Sequence, residues 1–317
     1  MLFHHLLFLS LVSAFCLITL ASGAPVLPES EVEALKEIAK RLGKRDWNFS
    51  VDPCSKEESW VAVAANPEDI LKNVTCNCSF SNGTVCHVVS IILKSESLPG
   101  TLPPELTRLS FLQQIDLTRN YLSGGIPPEW SSLPLINITL LGNRLTGTIP
   151  KDLAKITTLK SLVLEFNQLS GDLPPELGNL PSIERLLLTS NNFTGELPET
   201  FANLTTLKEF RIGDNNFTGQ IPNFIQNWTD LTKLFIQGSG LEGPIPSAIS
   251  ALENLTELRI SDLNGSDARF PPLSKMTKLK TLILRSCNLI GDIPLDLGKI
   301  TTLKTLLVYS VFSFPSV

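Results

Sequence analysis

Histidine is scarce in this sequence, which limits the catalytic and metal-binding chemistry that the chain can support. The 317 residues include only three histidines, and two of them, His4 and His5, lie at the apolar N terminus. If that segment is removed, His87 alone would have to serve a Ser-His-Asp triad or a histidine metal site. We interpret His87 as a polar surface residue, and we predict no catalytic site, no metal site and no cofactor.

Positive charge and long internal apolar runs are also lacking. The formal net charge of -5 provides no basic field for phosphate groups, which argues against nucleic acid as a partner. Beyond residue 23, Asn, Lys or Glu interrupts every hydrophobic run before it reaches the roughly 20 residues that span a bilayer. The HRD and DFG motifs of protein kinases are absent as well. We therefore predict a chain that is not itself an enzyme and has no membrane span.

The N terminus has the pattern of a secretory signal. A fifteen-residue apolar stretch, Leu6 to Leu20, is followed by the small residues Ala21, Ser22 and Gly23. We predict a signal peptide over residues 1–23 and a secreted, extracellular location. Eleven N-x-S/T sequons agree with passage through the secretory pathway. The predicted glycosylation sites are Asn48, Asn73, Asn77, Asn82, Asn137, Asn192, Asn203, Asn216, Asn227, Asn254 and Asn264.

Glycine recurs at a nearly constant interval along most of the chain. Successive spacings are 23 or 24 residues, with one final gap of 48. The repeat glycines are Gly100, Gly124, Gly147, Gly171, Gly195, Gly219, Gly243 and Gly291. One unit, residues 159–174, reads LKSLVLEFNQLSGDLP and fits the pattern LxxLxLxxNxLxGxLP. The period predicts about nine to ten stacked units over residues 88–306.

Each position of this pattern has a physical reason. Leucines two apart in the LxL stretch share one face of a short strand, and stacked units pair those strands into a parallel sheet. The asparagine that follows turns inward and hydrogen-bonds the backbone of the bend. This position holds Asn120, Asn143, Asn167, Asn191 and Asn215, and later Ser239, Leu263 and Cys287. We expect the later repeats to be less regular, and we expect the segment from Ser261 to Pro272 to bulge from the array.

Residues 24–87 precede the first repeat and contain four of the six cysteines. Apolar residues at helical spacing over residues 29–42 predict an amphipathic helix. A bridge between Cys76 and Cys78 is disfavoured, because alternate residues of an extended chain are too far apart for relaxed disulfide geometry. The remaining pairings are Cys54–Cys76 with Cys78–Cys86, or Cys54–Cys78 with Cys76–Cys86. We predict a disulfide-bonded N-terminal cap over this segment.

The repeat resembles the plant-specific leucine-rich repeat of receptor-like kinases and related secreted proteins. The resemblance implies an α/β solenoid, a right-handed superhelix with a parallel concave sheet. The strings CNCSFSNGTVCHVVS at 76–90, FPPL at 270–273 and LRSCNL at 284–289 resemble one group of plant leucine-rich-repeat receptor-like serine/threonine kinases. In that group a malectin-like domain, a membrane span and a cytoplasmic kinase follow the repeats. The resemblance therefore implies a ligand-recognition ectodomain on the extracellular side of the plasma membrane.

The resemblance ends near residue 306. Residues 307–317 read LVYSVFSFPSV where the repeat pattern requires an asparagine and a glycine, so we predict an aberrant tail and a truncated ectodomain. The malectin-like and kinase activities are not carried over to this chain. The alternative is a secreted protein resembling polygalacturonase-inhibiting proteins, which have similar repeats. Those proteins carry a C-terminal cysteine cap, which this sequence lacks.

Outward residues of the strands are expected to line the concave face. The central column is Asp116, Thr139, Val163, Leu187, Arg211, Phe235, Arg259 and Ile283. Arginine and aromatic side chains are typical anchors of binding sites, and they concentrate in the later repeats. The candidate ligand-binding residues are Arg211, Phe235, Arg259 and Arg285, with Asp214 and Asp262 at the rim. The expected partner is an extracellular peptide, a carbohydrate or a co-receptor.

Overall fold

The computed structural model describes residues 25–63 and 70–309, so the predicted signal peptide and most of the predicted tail lie outside the described residues. An α-helix, α1 (Glu29–Leu42), precedes the strands. The strands are β1 (Val61–Val63), β2 (Ile70–Phe80), β3 (Val85–Leu93), β4 (Gln114–Asp116), β5 (Ser123–Gly124), β6 (Asn137–Thr139), β7 (Arg144–Gly147), β8 (Ser161–Val163), β9 (Gln168–Asp172), β10 (Arg185–Leu187), β11 (Asn192–Thr194), β12 (Glu209–Arg211), β13 (Lys233–Gln237), β14 (Glu257–Ser261), β15 (Ala268–Arg269), β16 (Thr281–Arg285), β17 (Leu289–Ile290) and β18 (Thr305–Tyr309).

A twelve-stranded main sheet runs the length of the array in the order β1-β2-β3-β4-β6-β8-β10-β12-β13-β14-β16-β18. The hairpin of β2 and β3 is antiparallel, and every later neighbour in this sheet is parallel. Equivalent leucine positions stack in register, so Leu162 lies beside Leu186 and Leu186 beside Phe210. All three are buried in one continuous core. The predicted parallel-sheet solenoid is confirmed.

Each repeat returns along the opposite side through a short strand or bend and, in most units, a 3₁₀ helix. Strands β5, β7, β9 and β11 form a second parallel sheet, and β15 pairs with β17. The 3₁₀ helices are Ser81–Gly83, Pro104–Arg108, Pro128–Ser132, Lys151–Lys155, Pro175–Asn179, Glu199–Asn203, Asn223–Asn227, Ser247–Ala251 and Leu295–Lys299. Except for the first, each begins directly after an extended proline of the repeat, which sets the entry angle of the helix.

The asparagine column forms a hydrogen-bonded ladder inside the array, as predicted. The side-chain amide of Asn191 donates to the carbonyls of Leu164 and Leu188 at 3.0 and 3.1 Å. Its oxygen accepts the Leu169 N–H at 3.1 Å. One side chain therefore hydrogen-bonds buried backbone groups of two adjacent repeats, and each of these carbonyls also accepts from a neighbouring ladder asparagine.

The ladder weakens in the later repeats. The Ser239 hydroxyl accepts the N–H of Leu241 at 3.3 Å. The Cys287 thiol lies 3.5 Å from the Ile260 carbonyl and 3.3 Å from the Arg285 carbonyl. Burial raises the pKa of Cys287 to about 12, so the thiol stays protonated and acts as a weak donor.

The cap is cross-linked internally by two disulfides, and its helix packs against the first repeats. Disulfides join Cys54 to Cys76 and Cys78 to Cys86, which is one of the two pairings left open by the sequence. Helix α1 occupies the predicted range, and it buries Ala34, Leu35, Ile38, Ala39 and Leu42. The helix closes one end of the core, because these side chains belong to the same cluster as the repeat leucines.

The interpretation of His87 as a surface residue was wrong. Its side chain is 18% exposed, and its Nδ1 contacts the buried Glu31 of helix α1. The second carboxylate oxygen of Glu31 accepts the N–H of Val88 at 2.9 Å. The imidazole also packs against Phe80 and Phe111, with ring centroids 4.8 and 4.2 Å away. His87 therefore fastens the cap helix to strand β3.

The segment from Ser261 to Pro272 keeps the strand register before its bend but departs from the regular repeat after it. Strand β14 stays in register with β16 through Ser261 and Arg285. Beyond the bend, residues 264–267 are all exposed, and Ala268 pairs with Leu289 on the opposite side of the repeat, one residue later than the equivalent residues of the earlier repeats. The 24-residue period is preserved, so the strands of this repeat stay paired in register although Leu263 replaces the asparagine. This repeat lacks the 3₁₀ helix, since the equivalent residues 271–275 hold only a turn at 274–275.

Candidate functional site

Three of the candidate ligand-binding residues lie side by side on the concave face. Cα pairing places Arg211 beside Phe235 and Phe235 beside Arg259, on strands β12, β13 and β14. Successive strands of a sheet lie roughly 4.8 Å apart, so the three side chains span about 10 Å. All three are half-buried, which leaves part of each side chain open to solvent.

The two arginines flank the aromatic ring. The guanidinium carbons of Arg211 and Arg259 lie 4.6 and 4.7 Å from the ring centroid of Phe235. Both distances are within the range of a cation–π contact. We call these three residues the arginine–phenylalanine cluster.

Carboxylates on the neighbouring column hold the arginines in place. Arg211 donates from Nε to Glu209 at 2.8 Å, and its second terminal nitrogen contacts the same carboxylate. Arg259 donates to Glu257 at 2.9 Å. The Nε–H of Arg259 is buried and has no hydrogen-bond partner among the described residues. The arginines of the cluster are thus oriented by the protein.

Glu209 is the centre of a wider charge network. Its carboxylate also accepts from Arg185 at 3.0 Å and lies 3.8 Å from the Lys233 ammonium. Burial alone would raise the pKa of Glu209, but hydrogen bonds from Arg211 and Arg185 outweigh burial and lower it. Glu209 is therefore a stable anion beneath the cluster.

The pKa of Glu165 is shifted in the opposite direction from that of Glu209. Glu165 lies two repeats before Arg211, and the nearest guanidinium nitrogen of Arg211 is 3.9 Å from its carboxylate. Burial raises the pKa of Glu165, and this effect exceeds the attraction of Arg211. The two carboxylates that face Arg211 therefore differ in how readily they take up a proton.

The remaining candidate residues do not join the cluster. Arg285 lies in the next outward column of the sheet, where its backbone pairs with Ser261 and Tyr309. Its guanidinium donates to Asp262 at 3.0 Å. Both side chains of that ion pair are more than 40% exposed. Asp214 lies in the bend after β12 and accepts from the Ser190 hydroxyl at 3.2 Å. Asp214 and Asp262 therefore lie at the edge of the face, as the predicted rim requires.

Sequence reasoning missed the column of charges that supports the cluster. The first outward position of successive strands alternates in sign along Arg185, Glu209, Lys233 and Glu257. The same 24-residue spacing that identified the central column would have revealed it. The carboxylates of this column, Glu209 and Glu257, orient the arginines of the cluster.

The eleven sequons are distributed unevenly over the solenoid. Eight of the asparagines are exposed, and Asn73, Asn137 and Asn254 are half-buried. Asn73 and Asn137 line the same cavity of about 330 Å³ on the face of strands β2, β3, β4 and β6. The outward positions of β8, β10, β12, β13, β14 and β16 carry no sequon. Sugars at the predicted sites would therefore leave the arginine–phenylalanine cluster open.

Comparison with known proteins agrees with this geometry. The profile of the Leucine Rich Repeat family matches residues 111–133, 158–180, 182–204, 206–228 and 278–300. The chain folds as a leucine-rich-repeat solenoid. A probable leucine-rich repeat receptor-like serine/threonine-protein kinase of Arabidopsis thaliana is 55% identical to it over 125 residues, which cover 38% of this chain and 12% of that kinase. The solenoid therefore spans a small part of the length of the curated relatives it matches.

Solved receptor ectodomains share the solenoid. The Arabidopsis receptor kinase HAESA, in complex with the peptide hormone IDA and the co-receptor SERK1, superimposes with a TM-score of 0.72 at 29% identity, covering 87% of this chain and 45% of that one. The ectodomain of GASSHO1/SCHENGEN3 from Arabidopsis thaliana, in complex with CASPARIAN STRIP INTEGRITY FACTOR 2, gives a TM-score of 0.69 at 27% identity, with 88% and 35% covered. The leucine-rich-repeat solenoid is thus similar to plant receptor-kinase ectodomains.

The matches to kinases cover only the repeat region, and no kinase domain is evident in them. Over residues 25–63 and 70–309, no helix combines the length and the apolar character needed to cross a bilayer.

Proposed function

We propose that this chain is the extracellular ligand-recognition domain of a plant leucine-rich-repeat receptor-like kinase, and that it binds a peptide on the arginine–phenylalanine cluster. The observation that carries the proposal is the position of Phe235 between Arg211 and Arg259, each held by its own carboxylate. Side chains fixed before binding lose little conformational entropy when a ligand arrives. The site is therefore preorganised.

An extended peptide fits this arrangement better than a compact ligand. The cluster lies along the array and spans about 10 Å, which is roughly the length of three residues of an extended chain. A peptide carboxylate would accept from the guanidinium donors, and an apolar peptide side chain would pack on Phe235. HAESA is bound to a peptide hormone in its complex, which supports the same ligand class here.

The signal peptide over residues 1–23, the sequons and the cap over 24–87 support an extracellular location for this domain. The strings at 76–90, 270–273 and 284–289 support membership of the group whose longer members carry malectin-like and kinase domains. Kinase activity would then belong to the longer proteins. The alternative of a polygalacturonase-inhibitor-like protein gains no support from the comparisons.

A random peptide library displayed on phage tests the proposal even though the ligand is unidentified. The full chain, secreted from a eukaryotic host, is the bait, and enriched peptides are measured by calorimetry. We expect Phe235→Ala with Arg259→Ala to weaken binding at least about tenfold, since each anchor contributes roughly 1 to 2 kcal/mol. Arg285→Ala is the matched control and should leave affinity unchanged. Enriched peptides that bind all variants equally, or no enrichment, would contradict the proposal.

A further inference from the structure

A ledge of left-handed residues runs along the array where each strand of the main sheet ends. These residues directly precede the ladder position, and their φ angles lie between 49° and 68°. The ledge consists of Arg119, Gly142, Phe166, Ser190, Asp214, Gly238, Asp262 and Ser286. Glycine and short polar residues tolerate this conformation comparatively well, whereas a bulky side chain is strained in it.

Phe166 and Arg119 are the two bulky residues on this ledge, and Phe166 is the aromatic one. The backbone of Phe166 lies in the left-handed region, and 57% of its surface is exposed. Such strain costs of order 1 to 3 kcal/mol, and a largely exposed ring recovers little of it by burial. Folding therefore gives no reason for phenylalanine here, since Ser190 occupies the equivalent position of the next repeat.

Three further exposed side chains, Arg119, Tyr121 and Arg144, lie at the same edge of the array in the two repeats before Phe166. Tyr121 is 49% exposed, and the guanidinium carbon of Arg144 lies 4.6 Å from the centroid of its ring. A Cβ added to Gly142 would lie 3.5 Å from Cγ of Arg119, so the Arg119 stem lies beside Gly142, the ledge residue that precedes Phe166. We call Arg119, Tyr121, Arg144 and Phe166 the N-terminal patch.

The positive charge of the N-terminal patch is not compensated within the solenoid. Neither Arg119 nor Arg144 forms an ion pair with any residue that the structure describes. This differs from the concave face, where Arg211 and Arg259 each contact a carboxylate. The two free guanidiniums thus favour an anionic partner.

The later part of the ledge differs from the N-terminal patch in its charge and in the sequons beside it. It carries Asp214 and Asp262 in place of the arginine. The position occupied by Tyr121 in the second repeat is occupied further along by the sequon asparagines Asn192, Asn216 and Asn264. Sugars there would cover the acidic part of the ledge and leave the N-terminal patch bare.

We propose that the N-terminal patch is a docking surface for an acidic polypeptide of a second protein, separate from the concave site. Carboxylates of the partner would pair with Arg119 and Arg144, and an apolar partner side chain would pack on Phe166. A polypeptide is favoured over an acidic carbohydrate because Arg144 already covers one face of Tyr121. That leaves fewer free ring faces for stacking on sugars.

The test uses the full secreted chain and a fluorescent synthetic peptide that repeats Glu-Leu-Glu. We expect saturable binding that weakens with salt, and at least a tenfold loss of affinity in the double variant Arg119→Glu with Arg144→Glu. Phe166→Ser should weaken binding while raising the melting temperature, because serine relieves the strain as Ser190 does. All three positions are exposed, so the variants should fold.

Three controls decide the outcome. A Gln-Leu-Gln peptide should not bind the patch, and polygalacturonate should bind no tighter than it does to the Arg119→Glu, Arg144→Glu variant. The loss of Glu-Leu-Glu affinity caused by Arg119→Glu with Arg144→Glu should persist in a Phe235→Ala, Arg259→Ala background, where the concave cluster no longer binds. The last result separates this proposal from the concave ligand site. Equal binding of both peptides, tighter patch-dependent binding of polygalacturonate, or affinity that survives charge reversal would overturn it.

Discussion

The middle repeats and the later repeats of the solenoid share one backbone register but differ in what holds their interiors. From Asn120 to Asn215 each ladder side chain bonds the backbone of two repeats. After residue 230 the ladder position holds Ser239, Leu263 and Cys287, whose bonds are fewer, longer or absent. Leucine packing is continuous across both regions.

The same contrast appears on the surface. In the middle repeats Glu209 is a largely buried carboxylate with several cationic partners, whereas in the later repeats Arg285 and Asp262 form an exposed pair. Burial of leucines is therefore enough to set the register, while polar contacts determine how firmly each repeat is held. The arginine–phenylalanine cluster lies where the two regions meet.

Removal of a ladder asparagine should have the largest effect. Asn191→Ala leaves the Leu169 N–H without its side-chain partner and removes one of the two ladder bonds that the Leu164 and Leu188 carbonyls each accept, which should reduce the free energy of unfolding by about 2 to 3 kcal/mol. Cys287→Ala should reduce it by only about 1 kcal/mol, because a thiol is a weak donor. Urea denaturation measures both, and equal losses would show that the ladder does not distinguish the two regions.

Replacement of Glu209 should have the next largest effect and should depend on pH. Because the folded-state pKa of Glu209 lies below its ordinary value of 4.5, its ionised form stabilises the fold above that pH. The contribution is lost as the pH falls through the lowered pKa. We expect Glu209→Gln to reduce stability by about 1 to 2 kcal/mol at pH 7 and to have little effect in strong acid.

Glu165→Gln is the matched control, and it should act in the opposite direction. The folded-state pKa of Glu165 is raised, so its ionised form weakens the fold once the pH exceeds 4.5. The neutral amide should therefore increase stability at pH 7 by up to about 1 kcal/mol. Thermal melting across the acid range measures both variants, and curves of the same sign would refute the assigned pKa directions.

Restoring an asparagine at ladder position 239 should make the later repeats more like the middle ones, with a smaller change in the free energy of unfolding. Ser239 is fully buried, and an asparagine there could reach the carbonyls of Ile212 and Ile236, as Asn215 reaches those of Leu188 and Ile212. We expect Ser239→Asn to raise the free energy of unfolding by about 1 kcal/mol. A loss of stability would mean that the later repeats lack room for the amide.

The exposed ion pair of the later repeats should contribute least. Arg285→Ala removes the contact with Asp262, but surface pairs of this kind contribute between zero and about 1 kcal/mol. We expect a change below about 0.5 kcal/mol in urea denaturation. A loss of unfolding free energy as large as that of Glu209→Gln would show that charged contacts stabilise the two regions equally, which would contradict the comparison.

Much of this molecule could be predicted from its sequence, because residues one repeat period apart lie side by side on adjacent strands. Arg211, Phe235 and Arg259 are 24 residues apart, and that interval alone places them on adjacent strands. Features that depend on contacts between different elements could not be predicted. The burial of His87 requires Glu31 of the cap helix, and the orientation of Arg211 requires a carboxylate from the neighbouring column.

Photo-cross-linking tests the central claim, that the arginine–phenylalanine cluster is the ligand site, most directly. A library-selected peptide carrying a benzophenone is irradiated with the full glycosylated chain, and mass spectrometry locates the attachment. We predict attachment within strands β12 to β14, around Arg211, Phe235 and Arg259. Attachment confined to the cap, the 3₁₀ helices or the ledge would contradict the account.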